Sequence, residues 1–332
     1  MMTKVRFAIV GTNFITDQFL QAAKEDDRFE LSAVYSRTDE RAKEYAAKYN
    51  VEHTFTDLQS LAESDCIDAV YIASPNSLHC EQTLLFLQNK KHVLCEKPFA
   101  TNANEAKMMI ETAKKYGVLV MEAMKLPTFP SFQELKKQIH KIGQVRKFIM
   151  VHCQYSSRYD AYLRGEVLNA FKPEFSNGAL MDIGVYTVAP IVHLFGRPKS
   201  IKANAFMLES GVDGEGSILL HYGDIEGTCV YSKISNTYLP SEIQGEKGSI
   251  VINQLKNFHS VTIRYHDGSY EEIAVPHAEH DLCYEISEFL DTVILGKTES
   301  EMNTFERSLI TMEILAEARK QMGLVYKADK LE

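Results

Sequence analysis

The stretch Val5-Arg6-Phe7-Ala8-Ile9-Val10-Gly11-Thr12-Asn13-Phe14-Ile15-Thr16 decides the fold class of this chain. Its first six residues are almost continuously apolar, which is typical of a strand buried on both faces of a parallel sheet. Gly11 follows directly, and a helical pattern then extends from about Phe14 to Lys24. A strand, a glycine turn and a helix in this order predict the first half of a βαβ unit.

The same alternation of strand and helix continues through the first third of the chain. Further strands are predicted at Glu30–Tyr35, Asp68–Ala73, His92–Cys95 and Val118–Met121, and helices at Asp39–Tyr49, Ser77–Asn89 and Asn104–Tyr116. Repeated β-α units with apolar strands predict a Rossmann-type, doubly wound parallel sheet with helices on both faces. We assign this domain to residues 1–123.

From residue 124 onward the hydrophobic pattern becomes two-fold. The predicted strands are Val145–Tyr155, Ser200–Leu208, Gly216–Tyr222, Glu226–Ile234, Glu242–Gly245, Ser249–Asn253, Ser260–Tyr265 and Glu271–Val275. Short connections between most of them favour hairpins and meanders. Residues 124–332 are therefore expected to form an α+β domain for substrate binding and oligomerisation, with a large, mainly antiparallel, open-faced sheet. Assembly through that sheet predicts a homodimer or homotetramer.

The chain ends with two amphipathic helices, predicted near Leu282–Leu295 and Thr304–Met322. Although they follow the second domain in sequence, they are free to pack back on the first. His277 and His280 lie in the loop before them, but no further ligands complete a metal site. We therefore predict no metal.

Composition narrows the function class. Charged residues make up 24% of the 332 residues and the net charge is −9, which argues against nucleic acid or an anionic membrane as a partner. No run was expected to approach the roughly 20 apolar residues that span a bilayer. Because Val5–Val10 already reads as a buried strand, no secretory leader is expected. The cysteines are scattered, which favours reduced thiols and a cytoplasmic location.

The tripeptide Glu96-Lys97-Pro98 follows the strand His92–Cys95. Ligands of open α/β sheets bind beyond the carboxyl ends of the strands. A lysine there can meet a substrate as a compact point charge, and the Lys97-Pro98 bond can be cis. The alternative is an ordinary Glu-Lys pair at a surface turn.

The first βα turn has only the first glycine of the G-x-G-x-x-G pattern that binds a pyrophosphate. Asn13 suits either a left-handed turn or a helix cap. Thr16 puts a branched side chain where close packing prefers a small one. Dinucleotide binding and an ordinary strand–turn–helix therefore explain Gly11–Thr16 equally well.

The end of the second strand is more informative. Tyr35-Ser36-Arg37-Thr38 offers no carboxylate for a ribose 2′-hydroxyl, whereas Arg37 suits a 2′-phosphate. The alternative is a solvated arginine at a helix start. If a dinucleotide binds, NADP is therefore favoured and NAD is second.

A third polar turn, Ser74-Pro75-Asn76-Ser77-Leu78-His79, follows the strand Asp68–Ala73. Asn76 and His79 at its mouth fit contacts to the nicotinamide end of a cofactor. Asn76 or Ser77 can also simply cap the next helix.

A second candidate centre is Gly178-Ala179-Leu180-Met181-Asp182-Ile183-Gly184-Val185-Tyr186. If this stretch is helical, Asp182 and Tyr186 lie four residues apart on one face. A carboxylate and a phenol together can position a polar substrate and pass a proton. The alternative is a buried helix in which the Tyr186 hydroxyl only bonds to Asp182.

Five motifs in this order resemble the Gfo/Idh/MocA oxidoreductases, and the resemblance covers essentially the whole chain. They are Ala8-Ile9-Val10-Gly11, Ser36-Arg37, Ala73-Ser74-Pro75-Asn76-Ser77-Leu78-His79, Glu96-Lys97-Pro98-Phe99 and Gly178–Tyr186. Tyr186 in place of the frequent histidine resembles the branch with dimeric dihydrodiol dehydrogenase and glucose–fructose oxidoreductase. The resemblance implies hydride transfer between a nicotinamide cofactor and a hydroxyl or carbonyl carbon of a sugar, polyol or cyclic diol.

The resemblance also implies roles for individual residues. Lys97 would contact the nicotinamide ribose and the reacting oxygen, Tyr186 would be the acid/base, and Asp182 would help to position the substrate. The predicted cofactor contacts are Gly11, Thr12, Asn13, Phe14, Ile15, Ser36, Arg37, Ser74, Pro75, Asn76, His79, Glu96 and Lys97.

The sequence departs from the family pattern at three positions. Asn13 and Thr16 replace small residues of the phosphate loop, which bears on cofactor affinity. Lys125 stands where many members have arginine after an aromatic residue, which bears on the substrate class. The altered loop also suggests an alternative, a non-catalytic dinucleotide-binding or sensor protein, while intact Lys97, Asp182 and Tyr186 favour the enzyme.

Overall fold

The structure is a computed structural model that describes residues 4–330. Its contacts divide the chain into two compact units. Unit 1 takes the chain up to Lys125 together with Ala278–Ser308, and unit 2 takes Leu126–His277 together with the chain from Leu309 onward.

The regular elements follow in chain order. The strands are β1 (Val5–Val10), β2 (Phe29–Tyr35), β3 (His53–Phe55), β4 (Ala69–Ile72), β5 (His92–Glu96), β6 (Val120–Ala123), β7 (Val145–Cys153), β8 (Ser200–Met207), β9 (Asp213–His221), β10 (Glu226–Ser232), β11 (Ser241–Gly245), β12 (Gly248–Ile252), β13 (Val261–Tyr265) and β14 (Tyr270–Glu272). The α-helices are α1 (Phe14–Ala23), α2 (Asp39–Tyr49), α3 (Leu58–Glu63), α4 (His79–Gln88), α5 (Ala103–Tyr116), α6 (Pro130–Gln138), α7 (Tyr159–Leu163), α8 (Val185–Phe195), α9 (Cys283–Ile294) and α10 (Phe305–Met322).

The sheet of unit 1 is parallel, with the strand order β3-β2-β1-β4-β5-β6. This confirms the predicted doubly wound domain. Its core is rich in aromatic side chains: Phe19 stacks on Tyr71 with ring centroids 3.8 Å apart, and Phe289 of α9 lies 5.5 Å from Phe7. Such burial of large apolar surface is the main force that holds the sheet and its helices together.

The strand order reverses between β1 and β4, which is where open α/β sheets form their ligand crevice. Gly11 directly follows β1 and has a φ of +114°. A Cβ on Gly11 would lie 2.6 Å from the carbonyl oxygen of Ala73, at the end of β4. Only glycine therefore allows the two loops to approach this closely.

The sheet of unit 2 has the order β14-β13-β12-β11-β7-β10-β9-β8. Its neighbours are antiparallel except for the parallel pair β7 and β10. This confirms the predicted mainly antiparallel sheet. One row across it is partly exposed and consists of Lys202, Leu219, Thr228, Ile149, Glu242 and Val251. The adjacent row of Ile218, Cys229 and Met150 points the opposite way and is fully buried.

Several elements differ from the prediction. The sequence analysis missed the short elements β3, α3 and α7. Leu180–Gly184 forms a π-helical turn before α8 rather than part of an α-helix. The predicted strand Glu271–Val275 is shorter and begins earlier, as β14. The extra residue in the π-helical turn depends on packing against other strands, which no local pattern encodes.

Among the described residues, the stretch Pro173–Phe195 is long and apolar enough to cross a membrane, with a mean hydropathy of 1.5. The expectation that no apolar run is long enough to span a bilayer was therefore wrong, as judged by length and composition alone. Ser176 and Gly178 within it have positive φ, so the stretch is not one continuous α-helix. Because 72% of its most apolar window is buried inside the protein, we assign it to the core of unit 2.

Candidate active site

Asn13 is the N-cap of α1. Its backbone is extended, with φ −113° and ψ −178°, and its Oδ1 accepts from the backbone N–H groups of Ile15 at 3.0 Å and Thr16 at 3.3 Å. Its Nδ2 donates to the carbonyl oxygen of Ala73 at 2.7 Å. Of the two conformations that the sequence left open, the helix cap is therefore the one adopted, and it ties the β1 loop to the β4 loop.

Thr16 fits where a smaller residue was expected. Its side chain is buried, and its Oγ1 donates to the carbonyl oxygen of Gly11 at 2.9 Å. The Thr16 hydroxyl therefore stabilises the turn through this hydrogen bond. Phe14, the residue between the cap and Ile15, is 73% exposed.

Two arginines flank the start of α2. Arg37 is exposed after β2, and Thr38 caps the helix. Arg41 in the first turn donates from Nε to Thr12 Oγ1 at 3.2 Å and from Nη2 to the Thr12 carbonyl oxygen at 3.0 Å. Arg41 therefore reaches the glycine loop. The sequence analysis did not single out Arg41, although its position four residues after Arg37 was an available signal.

The turn after β4 carries the next predicted group. Ser74, Pro75, Asn76 and Ser77 are half-buried, and the N-cap of α4 is Leu78 rather than Asn76 or Ser77. The Ser74 Oγ is buried and has no hydrogen-bond partner within residues 4–330. A buried hydroxyl without a partner costs free energy, and a ligand bound at this sheet edge would supply one.

His79 is fully buried between two backbone carbonyls. Its Nδ1 lies 3.0 Å from the Pro98 oxygen and its Nε2 lies 3.0 Å from the Ser74 oxygen. Burial lowers the pKa of His79, while the two carbonyls oppose the shift. A neutral ring carries one N–H and donates to one of them. In this structure His79 links two loops, and a direct hydrogen bond to a cofactor would require it to give up one carbonyl.

The Lys97-Pro98 bond is cis, and the turn that contains it is held by buried acids. Glu96 Oε2 accepts from the backbone N–H of Lys97 at 3.1 Å, and Glu96 Oε1 accepts from the Tyr71 hydroxyl at 2.6 Å. On the neighbouring strand β6, Glu122 Oε1 accepts from the backbone N–H of Phe99 at 3.1 Å. Lys97 is half-buried while Glu96, Pro98 and Phe99 are buried, so this is not a solvated surface turn.

Two buried acids near this turn, Glu122 and Glu285, have raised pKa values. Burial raises the pKa of Glu122 to about 7, although Ser308 Oγ donates to its Oε2 at 2.8 Å and Phe99 donates to its Oε1. Burial also raises the pKa of Glu285 on α9 well above its usual value, with the charge of Glu96 acting in the same direction and that of Lys125 against it. Burial therefore favours the neutral form of Glu285.

Lys125, the residue that departs from the family pattern, forms an ion pair with Asp281. The distance from its Nζ to Asp281 Oδ2 is 3.4 Å, and the two side chains are only 12% and 22% exposed. Lys125 therefore lies in a largely enclosed, acidic part of unit 1 rather than on the open surface.

In unit 2 the π-helical turn Leu180–Gly184 is fixed at both ends. Asp213 Oδ2 accepts from the backbone N–H of Leu180 at 2.7 Å, and a Cβ on Gly178 would lie 2.2 Å from Asp213 Oδ1. A Cβ on Gly184 would lie 2.9 Å from the Leu180 side chain and 3.1 Å from Tyr231. At both glycines of the motif, a larger residue would therefore clash with its neighbours. Turns of the π-helical kind are frequent at functional sites.

Asp182 and Tyr186 project from this turn and from the start of α8. Asp182 Oδ2 lies 2.9 Å from Lys233 Nζ, just after β10. The Tyr186 ring packs edge-on against His152 of β7, with centroids 5.7 Å apart. All three of Asp182, Tyr186 and His152 are half-buried. No sequence pattern pointed to His152 or Lys233, because they lie far from Asp182 and Tyr186 in the chain, on β7 and just after β10.

The predicted residues thus fall into two groups. In unit 1 the ends of β1, β2, β4 and β5 carry Gly11–Ile15, Ser36-Arg37, Ser74–His79 and Glu96-Lys97 along one edge of the parallel sheet. In unit 2 Asp182 on the π-helical turn pairs with Lys233, and Tyr186 at the start of α8 packs against His152.

Comparison with known proteins agrees with this division. Residues 5–124 match the model of an oxidoreductase family with an NAD-binding Rossmann fold, and residues 132–251 match the GFO/IDH/MocA C-terminal domain. The chain is 58% identical to an NADP(+)-dependent scyllo-inositol 2-dehydrogenase of Bacillus subtilis, over 98% of this chain and 99% of that protein. It is 31% identical to a trans-1,2-dihydrobenzene-1,2-diol dehydrogenase of Xenopus tropicalis, over 90% and 91%.

Solved structures share the same fold at lower identity. An aldose-aldose oxidoreductase from Caulobacter crescentus, complexed with glycerol, superposes with a TM-score of 0.85 at 20% identity and covers 96% of this chain and 97% of its own. A 3-ketoreductase from Actinomadura kijaniata, in complex with NADP and TDP-benzene, gives 0.84 at 23% identity, with 96% and 98% covered.

Proposed function

Because this chain belongs to the Gfo/Idh/MocA family of NAD(P)-binding oxidoreductases and is a dehydrogenase, we propose that its substrate is a ring polyol or cyclic diol, with NADP as the cofactor. The enzyme interconverts one ring hydroxyl and the corresponding ketone. Two relatives support this substrate class by their names, one acting on scyllo-inositol and the other on a cyclic diol. No observation favours the non-catalytic alternative.

The observation that carries the proposal is the group of half-buried polar side chains in unit 2. Asp182, Tyr186 and His152 are each partly exposed beside residues such as Ile183 and Val185 that are buried. A polyhydroxylated ring presents several hydroxyls, each of which can donate and accept. A carboxylate, a phenol and an imidazole match these hydroxyls, because together they offer both donors and acceptors.

Tyr186 is the acid/base in this proposal. When an alcohol carbon loses hydride, its oxygen must lose a proton, and a side chain at that oxygen has to accept it. A phenol with an ordinary pKa near 10 is a poor base at neutral pH but a competent donor. We therefore expect ketone reduction to be easier than alcohol oxidation at neutral pH.

Lys97 and Asp182 complete the assignment. The ammonium of Lys97 stabilises developing negative charge on the reacting oxygen, and it favours the phenolate when a phenol shares that oxygen. The carboxylate of Asp182 accepts a hydrogen bond from a substrate hydroxyl and so orients the ring. The bound nicotinamide supplies or accepts the hydride.

The residues around the loop ends of unit 1 fit a dinucleotide. The buried Ser74 hydroxyl needs a partner, and Gly11 brings the β1 and β4 loops close together. Arg37 and Arg41 supply two guanidinium groups for a 2′-phosphate at the end of β2, where no carboxylate follows the strand. In this proposal the residues that hold the cofactor are Gly11, Thr12, Asn13, Phe14, Ile15, Ser36, Arg37, Arg41, Ser74, Pro75, Asn76, His79, Glu96 and Lys97.

A direct test combines cofactor titration with a substrate panel. Quenching or enhancement of reduced nicotinamide fluorescence would give the dissociation constants of NADPH and NADH. Scyllo-inositol, other inositols, trans-cyclic diols, aldoses and open-chain polyols would then be screened by formation of NADPH. We expect tighter binding of NADPH than of NADH and turnover with ring polyols or diols. Turnover restricted to open-chain substrates would refute the substrate class, and absence of nucleotide binding at millimolar concentration would refute the enzyme assignment.

A further inference from the structure

Lys233 is a buried cation whose role the proposed reaction has not yet used. It directly follows β10, and its side chain is 2% exposed. Its Nζ lies 2.9 Å from Asp182 Oδ2, donates to the carbonyl oxygen of Ala170 at 3.2 Å, and lies 5.2 Å from the centre of the Phe171 ring. One ammonium therefore joins the π-helical turn to the segment Asn169–Phe171.

Burying the ammonium of Lys233 costs free energy. Removing a charge from water costs more than removing an apolar side chain, and replacing a buried ion pair by apolar residues is often neutral or stabilising. A methionine of similar length would pack against Phe171 and Ala170 without that cost. The charge of Lys233 therefore calls for an explanation beyond stability.

Its main charged neighbour is Asp182, which is 37% exposed. The ion pair holds one carboxylate oxygen inward against Lys233 and so fixes the orientation of the whole carboxylate. It also sets an equal positive charge against the negative charge of Asp182. An uncompensated carboxylate one turn before Tyr186 would oppose formation of a phenolate there.

Other titratable groups lie on the elements around this turn. His152 of β7 packs on Tyr186, and Asp213 of β9 holds the start of the turn. Tyr231 of β10 packs against Gly184, Glu215 lies on β9, and His193 is buried on α8. Among these groups, Lys233 supplies the ammonium that pairs with the carboxylate of Asp182.

We propose that Lys233 is a positioning residue that fixes Asp182 and offsets its charge, so that Tyr186 can exchange a proton with the substrate oxygen. This inference rests on the proposed function of Tyr186 as the acid/base. Because its side chain is only 2% exposed, Lys233 acts in this proposal without touching substrate or cofactor. Its effect is transmitted through Asp182, both by orientation and by charge.

The first test measures Tyr186 without turnover. Phenolate formation is followed by ultraviolet absorbance during a pH titration, and the signal of each variant is corrected by subtracting the same variant with Tyr186→Phe. In Lys233→Met we expect the Tyr186 midpoint to move up by about one pH unit, because the Asp182 charge is no longer offset. Lys233→Arg keeps the charge and is expected to keep the midpoint.

The second test compares pH profiles of alcohol oxidation. In Lys233→Met we expect the rising limb of kcat/KM to move to higher pH, with roughly tenfold slower oxidation at pH 7 and NADPH binding within about twofold of wild type. The double variant Asp182→Asn/Lys233→Met removes both charges and is expected to regain the wild-type midpoint at low activity. Asp182→Asn alone is expected to shift the midpoint to lower pH, which tests the inference even if Lys233→Met does not fold.

The outcomes separate this inference from the proposed function. A uniform loss of rate at every pH, with the Tyr186 midpoint unmoved in Lys233→Met and in Asp182→Asn, would mean that Lys233 is only structural and would overturn the inference. Wild-type protein that binds no nucleotide or turns over no ring polyol would overturn the proposed function, whereas the absorbance titration would still decide whether Lys233 controls Tyr186.

Discussion

The backbone N–H of Phe99 donates to Glu122 Oε1 at 3.1 Å, which links the turn after Lys97 to the adjacent strand β6. The acceptor is a buried acid whose pKa is about 7. The orientation of the proposed catalytic lysine therefore depends on a side chain that titrates in the physiological range, and this relationship gives the first prediction.

Glu122→Gln should change how stability depends on pH. Because the pKa of Glu122 rises from 4.5 to about 7 on folding, the folded protein binds the proton more tightly than the unfolded chain. The contribution of Glu122 to the free energy of unfolding therefore falls as the pH rises from about 4.5 to 7. The total loss is about 3 kcal/mol at most. Glutamine can still accept from Phe99 and donate to Ser308. The variant should therefore lose this part of the dependence of unfolding free energy on pH, and it should be more stable than the wild type at pH 8.

Urea unfolding at several pH values would check this prediction. Asp213 provides an internal reference: burial raises its pKa to about 6, so its own loss of stability between about pH 4 and 6 should persist in the variant. A wild-type slope retained between pH 6 and 7 in Glu122→Gln would contradict the assignment.

Arg41→Ala should weaken NADPH binding selectively. A charge-assisted hydrogen bond to a phosphate contributes about 1.5–3 kcal/mol, which corresponds to roughly 10- to 150-fold in the dissociation constant. NADH lacks the 2′-phosphate and should be affected far less. Lys43→Ala is the matched control, because Lys43 is an exposed cation on the same helix and pairs with Asp39. Equal weakening of both nucleotides would show that Arg41 only supports the Thr12 loop.

Gly11→Ala should impair nucleotide binding more than a comparable substitution elsewhere. Its φ of +114° and the Ala73 carbonyl oxygen at 2.6 Å both oppose a Cβ. Gly117→Ala is the control, because Gly117 also has a positive φ, of +69°, but nothing lies within 4 Å of an added Cβ. Backbone strain alone costs about 1–2 kcal/mol, so only Gly11→Ala should separate the two loops. Thermal unfolding and NADPH titration of both variants would show whether they differ.

Lys97→Ala and Tyr186→Phe should each slow turnover by roughly 10²- to 10⁴-fold, the usual contribution of a positioned acid/base or charge. Tyr186→Phe should leave NADPH affinity nearly unchanged. Tyr238→Phe serves as the control, since Tyr238 is 98% exposed. Steady-state rates with the preferred polyol, measured in both directions, would test this. Full activity of Tyr186→Phe would mean that another group is the acid/base, and His152, which packs against Tyr186, would be tested next.

Leu219→Glu should disrupt self-association. The partly exposed row on the unit 2 sheet contains Leu219 and Ile149, each 37% exposed, and an assembly through this face would bury them. Size-exclusion chromatography with light scattering should show a homodimer or homotetramer for the wild type and smaller species for the variant. Leu295→Glu, at a leucine that is 67% exposed outside this sheet, should not change the mass. A monomeric wild type would refute the prediction.

The fold class could be predicted because its signals are local. Val5–Val10 and the strands that follow it in unit 1 are predominantly apolar, which is typical of burial on both faces, and helical patterns separate them. The predicted bounds Asp39–Tyr49 agree with the structure, in which Thr38 caps that helix. The short strand β3 was missed because three residues carry too little periodicity.

The candidate site was only partly predictable. Lys97, Asp182 and Tyr186 belong to contiguous motifs, so their neighbours in sequence identify them. Glu122, Glu285 and Lys233 belong to no such motif. Each is an ionisable residue that sequence patterns assign to the surface, and only its burial beside a partner from another element gives it a role.

The sequence alone therefore determined the two kinds of sheet, the family and the residues that follow the strands, because apolar periodicity and short motifs are properties of adjacent residues. The tertiary structure decided which conformation Asn13 adopts, that Gly178 must make room for Asp213, and which cation faces Asp182. These outcomes depend on distances between residues far apart in the chain. Such distances are fixed only when the strands pack and water is excluded.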